Sequence, residues 1–415
     1  MTTAMSSERC APFLLMTGTL HVLFLAEVLG FRLHVHDARH STWYPARAPQ
    51  TRQCRMDSTS FRTEVHIPIW PEHAQLGYAD SFFLLGSCFS ESIGNRLLKA
   101  KFKQTSVNPS HGLLFSPLSA AASLDRMVSG VPYEEDEAGL VFSEGTGLWS
   151  CLDHHSCFSS MSRKECVRGL NTALAKGRED LLSASCIFVT LGTAWVFRHR
   201  ESGKDVTNCH KLPAYLFDRR IVSVHEIAQA LHRSLSNVIR LNPTARVLLT
   251  VSPVRHWRDG PIENGRSKAH LLAGAHAAID LFRAEGVGEG EGEGGAGRVS
   301  YFPSYEIVID DLRDYRFFES DMIHPSGVAV DYIWDKLTGA MFSDDAMRTM
   351  KEVQKVVQAT EHRPFNPKSD AHQIFLRKQL VKVDNLERRY PWLKLDDERG
   401  YFEGQILEPA AVSRH

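Results

Sequence analysis

The sequence predicts an α/β protein of three layers, with helices on both faces of a mostly parallel sheet and a helical C-terminal extension. Three observations lead there. Residues 82–85 are four consecutive apolar side chains closed by Gly86, and Ile93, Leu97 and Leu98 then recur at helical spacing. That reads as buried strand, tight turn, helix. Further continuous apolar runs at 184–191 and 245–251 alternate with helical patterns at 164–182, 224–241 and 267–282, as strands of a parallel sheet covered on both faces do. With 415 residues, 43% of them hydrophobic, the chain can bury a sizeable core.

Taken in order, residues 1–60 stand apart. The stretch 11–33 is largely apolar, but His21, Glu27 and Arg32 interrupt it, and burying these in a bilayer would cost a few kcal/mol each. Over 31–56, Arg32, Arg39, Arg47, Arg52 and Arg55 face the single acid Asp37. An apolar stretch followed by an arginine-rich, acid-poor one suggests a targeting leader, with organellar, secretory and unprocessed readings all open. Membrane contact is expected only through this segment.

Residues 63–70 alternate Val65, Ile67 and Ile69 with other residues, which suits an edge strand or extended lead-in. The opening strand and helix follow, then a Pro/Gly loop at 107–115 and a helix at 117–127. Beyond the strand and helix pairs lie a Gly/Glu-rich stretch at 286–297, read as a flexible surface loop, and strand-like runs at 299–302 and 306–309. A helix at 328–342 closes the main domain, 61–342. The tail, 343–415, carries helical patterns at 347–359 and 372–390.

A formal charge of -1 gives no basic excess, so nucleic acid is not an expected partner. Eight dilute cysteines are expected to be mostly free thiols.

Two stretches can carry chemistry. A hydroxyl on the turn after the first strand, at Ser87, would sit at the carboxyl edge of the sheet beside helix N–H groups without intrahelical partners. The structural alternative is a helix cap by Ser87 or Ser90. Near the other end, Asp321-Met322-Ile323-His324-Pro325 places a carboxylate three residues before an imidazole at the mouth of a helix. The Asp can then hold Nδ1 and leave Nε2 free. Together Ser87, His324 and Asp321 make a nucleophile, base and orienter.

The chain resembles the GSCFA-domain family, itself similar to the SGNH/GDSL hydrolases. The resemblance is carried by Gly86-Ser87-Cys88-Phe89, Val107-Asn108-Pro109 with Gly112, Asp153-His154-His155-Ser156 and Leu191-Gly192-Thr193-Ala194-Trp195. It continues through Asn208-Cys209-His210-Lys211, Val251-Ser252-Pro253-Val254-Arg255-His256-Trp257 and the Asp321–His324 motif. It implies a flavodoxin-like α/β/α hydrolase with Ser87 as nucleophile, the N–H groups of Ser87 and Gly112 at the oxyanion, and Asp321 with His324 as the acid–base pair. The substrate implied is an acyl or acetyl ester of a carbohydrate or lipid. In SGNH hydrolases an Asn of the third block also binds the oxyanion; here Ala194 stands at that place. Asn108, His154 and His155 are the candidates to replace it. Thr193, His154, His155, His210, Arg255 and His256 are substrate-binding candidates.

Three alternatives follow from the residues. Cys88, beside Ser87, could serve a Cys-His site in its place. Cys151, His154, His155, Cys157 and Cys166 have borderline metal-ligand spacing, but the resemblance carries only the histidines, and neither metal nor cofactor is expected. A binding or assembly protein that keeps the fold is the third, weighted by the missing Asn.

Overall fold

The computed structural model describes residues 64–137, 139–286 and 297–407. The leader, and all but the ends of the Gly/Glu stretch, lie outside them. Five parallel strands form the central sheet: β1 (Ser81–Gly86), β2 (Gln104–Val107), β5 (Cys186–Leu191), β9 (Arg246–Val251) and β10 (Val299–Phe302). Their spatial order is β10-β9-β5-β1-β2. Counting only these strands, the order is 2-1-3-4-5, the doubly wound pattern whose direction reverses between β1 and β5. Crevices at that reversal, outside the carboxyl ends of the strands, are where such sheets hold ligands.

Alternation along the strands explains the layers. On β1, Phe83 and Leu85 point to a core shared with α2 (Pro117–Ser129), α3 (Arg163–Ser183), α4 (Val224–Leu241) and α5 (Gly260–Ala284). Phe82 and Leu84 point to the opposite core, under α1 (Cys88–Lys99), α7 (Gly327–Met341) and the tail helices α8 (Asp344–Thr360), α9 (Asp370–Arg389) and α10 (Asp396–Glu403). Both faces are buried, so the strands read as unbroken apolar runs. The tail helices add Val353, Val356, Leu376, Val383 and Phe402 to the second core.

Several expectations change. Residues 306–309 are helical, not strand-like: α6 (Ser304–Glu306) runs into a π-turn at Ile307–Asp311, whose first N–H bonds Pro303 O at 3.0 Å. The apolar pair Ile307 and Val308 satisfies the buried core equally well from a helix. Residues 64–70 form the extended lead-in and no strand; the Trp70 N–H bonds Ala340 O at 2.8 Å, and Val65 N–H bonds Asp311 Oδ1 at 2.6 Å. Two small antiparallel additions are also present. A hairpin joins β3 (Leu140–Ser143) to β4 (Leu148–Cys151), and β6 (Trp195–His199) pairs with β7 (Asp205–Val206) and β8 (Phe217–Ile221). Among the described residues, the cysteines Cys88, Cys151, Cys157, Cys166, Cys186 and Cys209 are all free, and no helix is long and apolar enough to cross a membrane.

Candidate functional site

The turn between β1 and α1 is built on Gly86. Its φ of 138° brings the backbone against β5, where a Cβ would meet Thr190 O at 2.2 Å. Only glycine fits there. Gly86 N–H bonds Asn108 Oδ1 at 2.8 Å, and its carbonyl accepts the Leu114 N–H at 2.9 Å, so both ends of the loop after β2 are tied to one residue.

Ser87 is the N-cap of α1, yet its side chain makes no cap hydrogen bond. Its Oγ is buried without a hydrogen-bond partner. Cys88 is the first residue of the helix, and its Sγ lies 3.8 Å from His324 Nε2. His324 Nδ1 donates to Asp321 Oδ2 at 2.7 Å. The other carboxylate oxygen accepts the N–H groups of Ile323, at 2.8 Å, and His324, at 3.0 Å. These bonds hold the Asp321 carboxyl down at about 2. Because the carboxylate only accepts, Nδ1 carries the proton and the Nε2 lone pair faces the thiol.

The sequence expectation named Ser87 as the group facing the base; the geometry brings the next residue to it. A helix start explains the difference. The N-cap side chain belongs to the extended segment, while the first helical residue turns outward over the sheet's carboxyl edge.

The loop bearing the pair is a tight hairpin. Glu319 N–H bonds His324 O at 2.8 Å, Phe318 bridges Pro325, and Met322 takes a left-handed φ of 58°. Arg255 N–H bonds Ile323 O at 3.3 Å, tying the hairpin to the loop after β9.

Burial pushes the Cys88 thiol up, while the backbone N–H groups of Cys88 and Phe89 and the Lys268 ammonium pull it down. Lys268 was not anticipated. Fully buried in α5, its Nζ donates to Gly192 O at 2.8 Å and Ser252 O at 2.6 Å, the carbonyls just beyond β5 and β9. Burial lowers it to about 7. The signal was available: Lys268 stands one turn before Leu271 and two before Ala275, on the apolar stripe of its helix.

The other expected residues divide. Asn108 is occupied, its Oδ1 by Gly86 and its Nδ2 by Ser90 Oγ at 3.3 Å. Gly112, with φ 73°, packs against His155, and its N–H has no partner among the described residues. The Ala194 side chain is sealed in the core, so no group from that position reaches the site. His154 is buried and stacked on His111 at 4.2 Å, and burial drives it well below the usual histidine range. Thr193 Oγ1 is engaged by Trp195 N–H at 3.1 Å. Arg255 lies over the Phe318 ring at 5.4 Å. Four of the candidates, His155, Thr193, His210 and His256, line one cleft of about 540 Å³ beside the turn. No group of three or more metal-ligating side chains occurs among the described residues.

Residues 81–337 match the profile of the GSCFA family, and residues 353–408 match that of the GSCFA domain protein, C-terminal domain. No curated protein matches the chain. Among solved structures, an acetyl xylan esterase (Est2A) from the rumen bacterium Butyrivibrio proteoclasticus is similar at 14% identity and a TM-score of 0.29. The alignment covers 66% of this chain and 64% of that one, so the chain spans less than two thirds of that structure's length.

Proposed function

The chain belongs to the GSCFA family, and from its site we propose that it is a thiol-dependent acyl hydrolase, related in mechanism to the SGNH/GDSL esterases, with Cys88 as nucleophile. The observation that carries this reading is the Cys88–His324–Asp321 relay, 3.8 Å from sulfur to Nε2 and 2.7 Å from Nδ1 to carboxylate.

His324 takes the thiol proton at Nε2, and the thiolate attacks the ester carbonyl carbon, forming a C–S bond. The resulting oxyanion is held by N–H groups at the start of α1, which have no intrahelical partners, with the free Gly112 N–H as a further donor. As the tetrahedral species collapses, the C–O bond breaks and the alcohol leaves with the proton from His324. Water then attacks the thioester carbonyl, giving its proton to His324, and the acid departs as the thiol is restored. Because burial keeps the resting thiol protonated at neutral pH, His324 acts as a general base and not merely as a counter-ion.

The test is turnover of 4-nitrophenyl acetate. Cys88→Ala is expected to lower it by about a thousandfold or more, with Ser87→Ala retaining most of it. A Cys88→Ala enzyme as active as the wild type would overturn the reading.

A further inference from the structure

The cleft beside the turn has a charge pattern that the proposed chemistry does not require. Among the described residues lining its 540 Å³ are Lys211, Arg219, Arg258, His155, His210 and His256, and no Asp or Glu. Arg219 is neutralised by Asp259. Lys211 and Arg258 have no carboxylate partner among the described residues, and both are exposed. Lys211 and Arg258 thus put two cations without a carboxylate on the lining of one cleft, where an anion would find two partners.

The backbone supports the same reading. His210 and Lys211 hold consecutive left-handed φ values of 46° and 58°. Each costs roughly 1 kcal/mol for a side chain with a Cβ, and such strain collects at ligand sites. The turn is kept by His210 Nε2, which donates to Cys151 O at 2.7 Å.

The guanidinium groups rest on aromatic rings of the same cleft. Arg258 lies over the Phe197 ring at 4.9 Å, and Arg219 lies over Trp195 at 5.3 Å. Stacking on Phe197 holds the Arg258 guanidinium against the wall with no carboxylate on it, whereas the edge of Arg219 is taken by Asp259.

The cleft also adjoins the turn that carries Cys88. Phe115 and Thr193 line it, and Phe115 O accepts the N–H groups of Gly192, at 2.8 Å, and Thr193, at 2.9 Å. Gly192 in turn packs on Ser87, where an added Cβ would stand 3.2 Å from the serine Cβ. Gly192, next to the lining residue Thr193, thus touches the residue before Cys88.

We propose that this cleft binds an organic oxyanion, a carboxylate or phosphate carried on an apolar or ring-shaped body, through Lys211 and Arg258. That it serves as the substrate's recognition site rests on the thiol hydrolase reading; that it binds such anions does not.

Calorimetric titration with phenyl phosphate, benzoate and benzyl alcohol tests this directly. Saturable binding of at least one anion is expected, weakened about tenfold or more in the Lys211→Met/Arg258→Met double variant. Cys88→Ala should bind it unchanged. Tighter binding of phenyl phosphate names a phosphate ligand, and tighter binding of benzoate a carboxylate. Anions that bind no better than benzyl alcohol, or a double variant that binds them as the wild type does, would overturn the proposal. Anion binding intact in a protein without thiol-dependent turnover would uphold the cleft and remove the hydrolase reading alone.

Discussion

Cys88 Sγ lies 3.8 Å from His324 Nε2, whereas Ser87 Oγ, one residue earlier, is buried with no hydrogen-bond partner. The two side chains differ by one position across a helix start, and that position separates a group in contact with the imidazole from one without a polar partner. If His324 draws the proton, His324→Ala should slow alkylation of Cys88 by iodoacetamide at pH 7, by about three- to fourfold for each unit the thiol rises, because the tenfold loss of thiolate is partly offset by its greater nucleophilicity. Peptide mapping must follow the label, because Cys157 is exposed and Cys88 only partly so. Alkylation of Cys88 at the same rate in both proteins would contradict the pairing.

Asp321 fixes the imidazole by three hydrogen bonds from one hairpin, to Nδ1 and to the N–H groups of Ile323 and His324. Asp321→Asn is expected to keep the fold and lower kcat by about a hundredfold to ten-thousandfold, since the amide favours the wrong tautomer. With the carboxyl held down at about 2, Asp321 stays ionised throughout the working range. An acid limb seen above pH 4 in the wild-type profile therefore belongs to another group, and it should persist in Asp321→Asn.

Gly86→Ala tests the turn itself. The added Cβ would sit 2.2 Å from Thr190 O, backbone on a central strand that cannot give way. A loss of about 3 kcal/mol or more is expected in denaturant unfolding. Gly145→Ala, in open space, should leave stability near wild type.

Lys268 gives a pH signature. Its amine is lowered to about 7 in the fold, against an ordinary value of 10.5. Between these values the unfolded chain binds the proton and the folded one does not. Stability conferred at this site must therefore rise with pH from about 7 towards 10, by at most about 1.4 kcal/mol per unit, and the full penalty of burying the charge applies below 7. The difference in unfolding free energy between wild type and Lys268→Met should grow in favour of the wild type over that window. A constant difference from pH 6 to 9 would show that the lysine is not titrating there.

Much of the architecture was legible because buried strands and amphipathic helices leave periodic traces. The runs that became β5 and β9, and the helix that became α4, were read within a residue or two. What escaped were elements whose pattern is short or shared. Strands β6 and β8 are five residues each, with Arg198, Arg219 and Arg220 breaking their apolar alternation. Residues 306–309 are apolar enough for either helix or strand, and Pro303 with the packing of Ile307 decides between them. At the site, the Asp321–His324 pairing followed from three-residue spacing, because it closes within one loop. Which of Ser87 and Cys88 meets His324 depends on a contact between residues 236 positions apart, and on where α1 begins to within one residue. The cleft joins residues from five separate stretches of the chain, so the absence of acids from its lining had no linear trace.

The most direct test of the central claim is to trap the acyl intermediate. The protein is mixed with a chromogenic acetyl ester, quenched in acid within the turnover time, digested and mapped by mass spectrometry. The account predicts an acetyl group on Cys88, as a thioester released by hydroxylamine, and an unmodified Ser87. Acetyl on Ser87, with Cys88 free, would contradict it.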